Sequence, residues 1–238
     1  MVYYVVKAYL SVSADVRYGN RAYGNGMAKR KTVVIGVLAS GGGTNMQAII
    51  DRIESGSLDA RIAVVVGNNS GAGALDRARR HGIPAFHLSR LTHPSPDELD
   101  RVMVNILRAH GVQWLVLAGY MRQVGRKTLT EYRDRILNIH PALLPKYGGE
   151  GMYGIHVHEA VIDAGETETG VTVHLVTEKY DTGPIIAQRC VAVRNDDTPG
   201  SLQKRVLVEE HRIYADVIAA IADGRLTVVD GHPSIRVE

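Results

Sequence analysis

Apolar runs and amphipathic segments alternate along most of the chain, and this pattern predicts strands and helices in turn. The run Val33–Ala39 is unbroken and rich in β-branched residues, as expected for a strand covered on both faces of a parallel sheet. Apolar residues then recur at i, i+3, i+4 and i+7 from Met46 to Ile53, which predicts a helix over 45–55 that ends at Gly56. Further strands are predicted at 62–66, 85–88, 114–118, 136–140, 170–177, 185–193 and 226–229, and further helices at 74–81, 96–110, 155–164 and 198–223.

Strands that alternate with helices over this length are typical of βαβ units. We therefore predict an α/β fold with a Rossmann-like, mostly parallel sheet and helices on both faces. No linker-like stretch interrupts residues 32–238, which predicts one continuous sheet and a single domain. Residues 1–31 precede this pattern and show no periodicity, so we expect a mobile N-terminal extension. Met27 is a candidate start that would make residues 1–26 a mis-called extension, and the alternative is an arm that pairs with a second subunit.

Composition narrows the class of protein. The 28 Lys and Arg against 25 Asp and Glu give a net charge of +3, too small an excess to indicate nucleic-acid binding. Cys190 is the only cysteine, which excludes an intrachain disulfide and favours the reducing cytoplasm. No apolar run approaches the ~20 residues that span a bilayer. We expect small-molecule substrates, no nucleic-acid or membrane partner, and a monomer or homodimer.

A glycine-rich turn joins the first predicted strand to the first predicted helix. Residues 40–45 read Ser-Gly-Gly-Gly-Thr-Asn, and the N–H groups of the following helix turn favour an anion. Thr44 and Asn45 could cap the helix or bind a phosphate oxygen. Met46 stands where a dinucleotide fingerprint requires its third glycine, so a phosphorylated sugar fits better than NAD. The alternative is a tight turn that binds nothing.

Polar side chains follow the strand predicted at 136–140. Asn138 and His140 alternate with Ile139, so they point to one face, and Pro141 ends the strand at the edge where α/β sheets bind ligands. Asp181 lies in a predicted turn, where an aspartate commonly caps its own backbone. If Asp181 instead meets His140, it would favour the imidazolium and hold one tautomer.

No nucleophile stands near these three residues in the sequence, which favours direct attack of a substrate amine on an acyl carbon. In that chemistry Asn138 would stabilise the developing oxyanion, and His140 would move protons. A metal site is the competing interpretation, because His156 and His158 form a pair upstream of His174. Residues i and i+2 of a helix point apart, so we expect no metal, and we expect His158 and His174 behind the site or in the core.

Glu210 interrupts the apolar stripe of the last predicted helix. It lies four residues from both Val206 and Tyr214, so it faces inward. A buried carboxylate is costly unless it is paired or bound to ligand hydroxyls. The alternative is a boundary position whose carboxylate reaches water. The neighbouring Glu209 and His211 are expected to be solvated.

Five segments together resemble the phosphoribosylglycinamide formyltransferase family of folate-dependent enzymes. They are residues 37–45, 117–122, 137–146, 181–184 and 210–214. Asn-Ile-His-Pro at 138–141 and Leu-Leu-Pro at 143–145 mark the wider folate formyltransferase group, while the glycine turn and Glu210 narrow the resemblance. It spans about residues 32–226.

The resemblance implies that the amine of glycinamide ribonucleotide attacks the formyl group of the co-substrate 10-formyltetrahydrofolate, in purine biosynthesis. Asn138, His140 and Asp181 would then be catalytic. Gly43, Thr44 and Asn45 would hold the ribonucleotide phosphate, and Glu210 would hold the ribose hydroxyls. The folate site, contacted mainly through backbone, would comprise Met121, Arg122, Gln123, Val124, Asn138, Thr177, Glu178, Lys179, Tyr180 and Asp181.

Two departures and three alternatives qualify this hypothesis. Some family members carry an arginine that binds the folate tail, where this chain reads Ser95-Pro96-Asp97. The loop of residues 148–154 is longer than the corresponding loop in the shortest family members. A formyltetrahydrofolate deformylase would use the same three polar residues with water in place of the amine, but we expect an additional N-terminal domain in it. A methionyl-tRNA formyltransferase has an extra C-terminal domain. A non-catalytic sugar-phosphate or folate binding protein would not need His140.

Overall fold

The computed structural model describes residues 32–236, and the expectations for the N-terminal extension lie outside them. Its strands are β1 (Val33–Ala39), β2 (Ala60–Gly67), β3 (Ala85–His87), β4 (Trp114–Leu117), β5 (Ile136–His140), β6 (Glu168–Leu175), β7 (Ile185–Ala192), β8 (Leu226–Val229) and β9 (His232–Ile235). Its helices are α1 (Thr44–Glu54), α2 (Gly73–Arg80), α3 (Pro96–Ala109), α4 (Arg126–Glu131), α5 (Ile155–Asp163) and α6 (Pro199–Ala222). None of these helices is long and apolar enough to cross a bilayer.

Seven strands form the central sheet, in the order β3-β2-β1-β4-β5-β6-β7. The four strand pairs from β3 to β5 are parallel, and the β5–β6 and β6–β7 pairs are antiparallel, which confirms the predicted mostly parallel α/β fold. The chain order reverses at β1, which pairs with both β2 and β4. Open α/β sheets bind ligands at such a reversal, outside the carboxyl ends of the strands. The loops that follow β1 and β4 meet there, where the Ser40 amide donates to the carbonyl oxygen of Gly119 at 3.0 Å.

Two apolar cores flank the sheet, and one of them is built on α6. The predicted stripe of α6 is buried at Leu202, Val206 and Tyr214. The Tyr214 hydroxyl lies 2.9 Å from the carbonyl oxygen of Leu117 and 3.0 Å from that of Leu137. The hydroxyl proton is therefore shared between β4 and β5, which holds α6 against these two strands.

The prediction of one continuous sheet is wrong for the last strand. β8 pairs with β9 in a separate two-stranded sheet, and neither β9 nor α4 was predicted. The six residues of α4 bury only Thr128, so they show no apolar stripe. β9 contains Pro233 and is largely exposed, which hides it from any search for buried strands.

A carboxylate on α3 caps the short helix α4. Gly125 is the residue before α4 and offers no side-chain cap. Asp100, which is buried on α3, accepts hydrogen bonds from the Lys127 amide at 2.7 Å, the Thr128 amide at 3.2 Å and the Thr128 hydroxyl at 2.6 Å. Asp100 therefore positions the segment that leads from β4 into α4.

Asp100→Ala is expected to lower the free energy of unfolding by about 1–3 kcal/mol, because it leaves buried N–H groups of α4 without an acceptor. Chemical denaturation measures this change. Asp97→Ala is the matched control, since Asp97 is an exposed residue of the same helix and pairs with Lys127 at the surface. We expect the control to change the free energy by less than about 0.5 kcal/mol. Equal losses in the two variants would contradict the capping role.

Candidate active site

Two side chains at the carboxyl end of β5 form the base of the site. Asn138 and His140 share one face of the strand, and the ring of His140 is buried. β6 runs antiparallel beside them, and its His174 is the register partner of Asn138. Cross-strand partners lie on the same face of a sheet, so His174 joins the pair.

Asp181 completes the cluster, and it does so from the turn between β6 and β7. Its Oδ2 lies 3.5 Å from His140 Nδ1 and accepts a hydrogen bond from the Gly149 amide at 2.9 Å. Its Oδ1 lies 3.4 Å from Asn138 Nδ2 and 3.5 Å from His174 Nε2. The structure therefore brings together the three residues that the sequence placed apart, and Asp181 joins them rather than only capping its turn.

The backbone of the turn directs Asp181 into the cluster. Asp181 has φ +54°, in the left-handed region that aspartate tolerates better than most residues. Gly183 follows, and a Cβ at that position would lie 1.7 Å from the carbonyl oxygen of Leu175. Only glycine fits against the end of β6, so the chain can fold back closely enough for Asp181 to reach the strand face.

Hydrogen bonds fix the orientation of the two neighbouring rings. His140 Nε2 donates to the carbonyl oxygen of Tyr147 at 2.7 Å, which leaves Nδ1 facing Asp181. His174 Nδ1 donates to the carbonyl oxygen of Leu175 at 2.8 Å, and its Nε2 lies 3.1 Å from Asn138 Nδ2. The amide nitrogen of Asn138 is thus held on the side of Asp181.

Two opposing effects act on His140. Burial lowers its pKa below the ordinary value, and the Asp181 carboxylate and the Tyr147 carbonyl offset only part of that effect. At neutral pH the ring is therefore mainly uncharged and able to accept a proton. His158, which lies behind the cluster on α5, is buried with no partner for its Nδ1, and burial lowers its pKa to about 4. Its neighbour His156 is exposed and pairs with Glu159 on the helix surface.

The glycine turn forms a second part of the site. α1 begins at Thr44, and Gly43 before it has φ +73°. A Cβ on Gly43 would lie 2.8 Å from Ala74 of α2, so glycine is required there. No side chain caps α1, so the capping role considered for Thr44 and Asn45 is not observed. The first-turn N–H groups are left for an anion.

Glu210 meets the glycine turn from α6. Its Oε2 accepts a hydrogen bond from Asn45 Nδ2 at 2.7 Å. Asn45 is buried, and its Oδ1 has no partner. Burial raises the pKa of Glu210 above the ordinary value, and the bond from Asn45 offsets part of that effect. Both residues therefore retain hydrogen-bonding capacity that a polar ligand would satisfy.

The residues beside Glu210 differ from the expectation of solvation. Glu209 forms ion pairs with Arg189 at 3.2 Å and with Arg212 at 2.7 Å. His211 is half-buried, and its Nε2 has no partner. α6 packs closely against α1 and β7, which encloses both side chains.

A cleft of about 750 Å³ opens at the reversal in strand order. Seven of the ten predicted folate contacts line it: Met121, Arg122, Gln123, Val124, Glu178, Lys179 and Tyr180. Asn138 and Asp181 lie instead in the cluster already described. The Thr177 hydroxyl bonds within its own turn, to Thr182 and to the carbonyl oxygen of Lys179. Gln123 Nε2 donates to the carbonyl oxygen of Glu178 at 2.9 Å, which joins the two lining segments.

Sequence reasoning missed other residues around the cleft. Leu88, Ser89 and Arg90 line it, and they follow β3, whose carboxyl end lies at the same edge of the sheet. That position after a strand was the available signal. Ser40 Oγ accepts from the Met121 amide at 2.7 Å and donates to Asn68 Oδ1 at 2.5 Å. Ser40 therefore connects the glycine turn to the cleft.

Comparisons with known proteins agree with this geometry. Residues 33–218 match the family described as Formyl transferase. The chloroplastic phosphoribosylglycinamide formyltransferase of Arabidopsis thaliana is 41% identical over 85% of this chain and 70% of its own length. The phosphoribosylglycinamide formyltransferase of Escherichia coli is 38% identical over 80% of this chain and 87% of its own length.

A solved structure extends the similarity to the fold. The glycinamide ribonucleotide transformylase 1 of Symbiobacterium toebii superposes with a TM-score of 0.80 at 42% identity. The match covers 87% of this chain and 95% of that one. Sequence identity of this order therefore extends across most of both chains, together with the fold. The chain belongs to the formyl transferase family and, within it, to the phosphoribosylglycinamide formyltransferases.

Proposed function

We propose that this enzyme transfers the formyl group of 10-formyltetrahydrofolate to the amine of glycinamide ribonucleotide, with Asn138, His140 and Asp181 as its catalytic residues. The observation that carries the proposal is the single cluster formed by an amide, an imidazole and a carboxylate. The cluster lies at the same edge of the sheet as the uncapped glycine turn and the large cleft, and it contains no serine or cysteine nucleophile. Such a set suits direct transfer between two bound substrates rather than a covalent acyl-enzyme.

The reaction follows from these groups. The amine nitrogen attacks the formyl carbon, a C–N bond forms, and negative charge develops on the formyl oxygen. The Asn138 amide stabilises that oxyanion, and His140 accepts the proton that the amine releases. Asp181 offsets the positive charge that His140 then carries. Collapse of the intermediate breaks the bond to N10 of the folate, which receives a proton as it leaves.

The two substrates occupy different parts of the site. The phosphate of the ribonucleotide binds at Gly43, Thr44 and Asn45, where the N–H groups of α1 are free of a side-chain cap. The ribose hydroxyls bind Glu210. The cleft takes the folate, since its apolar and aromatic walls suit a flat ring system. Arg90 and Arg122 line the same cleft and suit the carboxylates of the folate tail.

The test is a formyl-transfer assay in which loss of the 10-formyl donor is followed with and without the ribonucleotide. We expect donor loss only when glycinamide ribonucleotide is present, with one formylated product per donor consumed. Equal donor loss and formate release without the ribonucleotide would overturn the proposal in favour of a deformylase. Binding of both ligands by a folded protein without turnover would instead indicate a binding protein.

Glu210→Gln is expected to raise the KM for the ribonucleotide by about tenfold to a hundredfold, because an amide replaces a charged acceptor of the ribose hydroxyls. The KM for the folate donor should not change. The variant should also melt at a higher temperature without ligand at pH 7–8, since a carboxyl whose pKa is raised on folding destabilises the protein once pH exceeds its folded pKa. Steady-state kinetics and thermal melts measure these two effects. An unchanged KM would remove Glu210 from the ribose site.

The wider organisation of the enzyme is also proposed. Residues 32–238 would form one formyltransferase domain, with the phosphate site in its N-terminal half and the folate and catalytic sites in its C-terminal half. We place the enzyme in the cytoplasm as a monomer or a homodimer, and the single cysteine supports that compartment.

A further inference from the structure

The glycine turn is supported by α2 as well as by α1. The Ala74 amide, in the first turn of α2, donates to the carbonyl oxygen of Gly41 at 3.1 Å. The same residue approaches Gly43 so closely that no side chain fits there. The turn is therefore enclosed between the starts of two helices, and any side chain one turn along α2 can reach it.

Arg77 lies at that position. Its Nε donates to the carbonyl oxygen of Gly42 at 2.8 Å, and its Nη1 donates to Gln47 Oε1 at 3.0 Å. Gln47 belongs to the first turn of α1, so one planar guanidinium bridges the glycine turn and the helix that follows it. A peptide whose carbonyl is held by Arg77 cannot turn that oxygen towards an anion in the site.

The charge of Arg77 is not offset by an acid. Within residues 32–236 no carboxylate lies within 4.0 Å of its guanidinium, whereas Arg79 on the same helix pairs with Asp76 at 2.8 Å. Among those residues, Arg77 is also the only cationic side chain that hydrogen-bonds to the turn of residues 40–45. The turn itself contains no charged residue. Asn45, with its unpartnered Oδ1 in a buried side chain, independently indicates a missing polar ligand there.

We propose that Arg77 is a positioning residue for the ribonucleotide phosphate: it holds the Gly42 carbonyl away from the anion and supplies a fixed positive charge behind the glycine turn. This inference rests on the proposed function and adds a residue to its phosphate site. Arg77 acts through the turn and takes no part in the formyl transfer. It should therefore affect binding of the ribonucleotide and not the chemical step.

The test compares Arg77→Gln and Arg77→Lys with Arg79→Gln, which removes the same charge from the exposed face of the same helix. We expect Arg77→Gln to raise the KM for the ribonucleotide about tenfold to a hundredfold, as for loss of charge-assisted hydrogen bonds. Its kcat should stay within about threefold of the parent and its folate KM should not change. Arg77→Lys keeps the charge but lacks the planar fork of the guanidinium, and its KM for the ribonucleotide should lie between those of the parent and Arg77→Gln. Arg79→Gln should match the parent.

Titration with inorganic phosphate provides a readout that does not depend on turnover. Arg77→Gln should bind phosphate more weakly than the parent and the Arg79→Gln control. Equal phosphate binding, or parent-like KM values, would overturn the proposal. A variant in which kcat and the melting temperature fall while both KM values rise would also overturn it, because that result indicates a general loss of structure. If the parent fails to formylate the ribonucleotide, the proposed function fails, while weaker phosphate binding by Arg77→Gln would still support the role of Arg77 in an anion site.

Discussion

His140→Ala is expected to lower kcat by about 10²–10⁴, the range for loss of a general acid–base group. The ring is buried between Asp181 and the Tyr147 carbonyl, and burial lowers its pKa, so at neutral pH it is mainly in the form that accepts a proton from the amine. Neither the glycine turn nor the cleft contacts it, and both KM values should change by less than about threefold.

Two comparisons separate chemistry from folding in this experiment. His156→Ala removes an exposed imidazole that pairs with Glu159 on α5, and it should keep the parent activity. His140→Gln fills more of the space that alanine leaves, and it should fold like the parent while remaining as inactive as the alanine variant. A variant of His140 with near-parent kcat would exclude it as the proton acceptor and return the binding-protein hypothesis to consideration.

Asp181→Asn is expected to lower kcat by about 10²-fold, because the amide keeps the shape of the side chain but not the charge that stabilises protonated His140. Asparagine tolerates the left-handed backbone of residue 181, so the turn should be retained. Asp230→Asn is a matched control, since Asp230 is an exposed aspartate with φ +50° in the turn between β8 and β9.

The pH–rate profile tests whether Asp181 acts through the pKa of His140. Asp181 raises the pKa of His140 against the effect of burial, so its removal lowers that pKa further. The rate falls at acid pH as His140 becomes protonated, and the midpoint of that limb should therefore move to lower pH in Asp181→Asn. A profile with an unchanged midpoint would show that Asp181 does not act through His140.

The sequence predicted the sheet well because its strands are buried. β1 and β5 have the predicted bounds, because the polar residues, glycine and proline that flank their apolar runs mark where each strand begins and ends. The prediction failed where burial is weak. α4 depends on a cap from Asp100, 27 and 28 residues earlier, and no local pattern encodes that contact. β9 pairs with β8 across the two-residue turn Asp230-Gly231, a local hairpin signal that sequence reasoning missed because β9 carries no buried apolar run.

The residues of the candidate site also fall into those that a local pattern predicts and those that only tertiary packing decides. Asn138, His140 and Glu210 were found because each is a polar residue at a position that its own strand or helix requires to face inward. Arg77 had no such signal: it follows one turn after a glycine-bounded helix start, and its bond to Gly42 spans 35 residues. Contacts that depend on how helices meet around a loop are decided by tertiary packing.

The loop of residues 147–149, which follows β5, forms hydrogen bonds with both His140 and Asp181. The Tyr147 carbonyl accepts from His140, and the Gly149 amide donates to Asp181, so the conformation of this loop and the charge of the two side chains are thermodynamically linked. A proton that weakens the bond between Gly149 and Asp181 must also loosen the loop, and a substrate that moves the loop must change the proton affinity beneath it. The protection of the Gly149 amide against solvent exchange, measured relative to its intrinsic exchange rate at the same pH, would then fall as Asp181 is protonated. The conformation of residues 147–149 and the protonation of His140 and Asp181 would then be governed by one equilibrium.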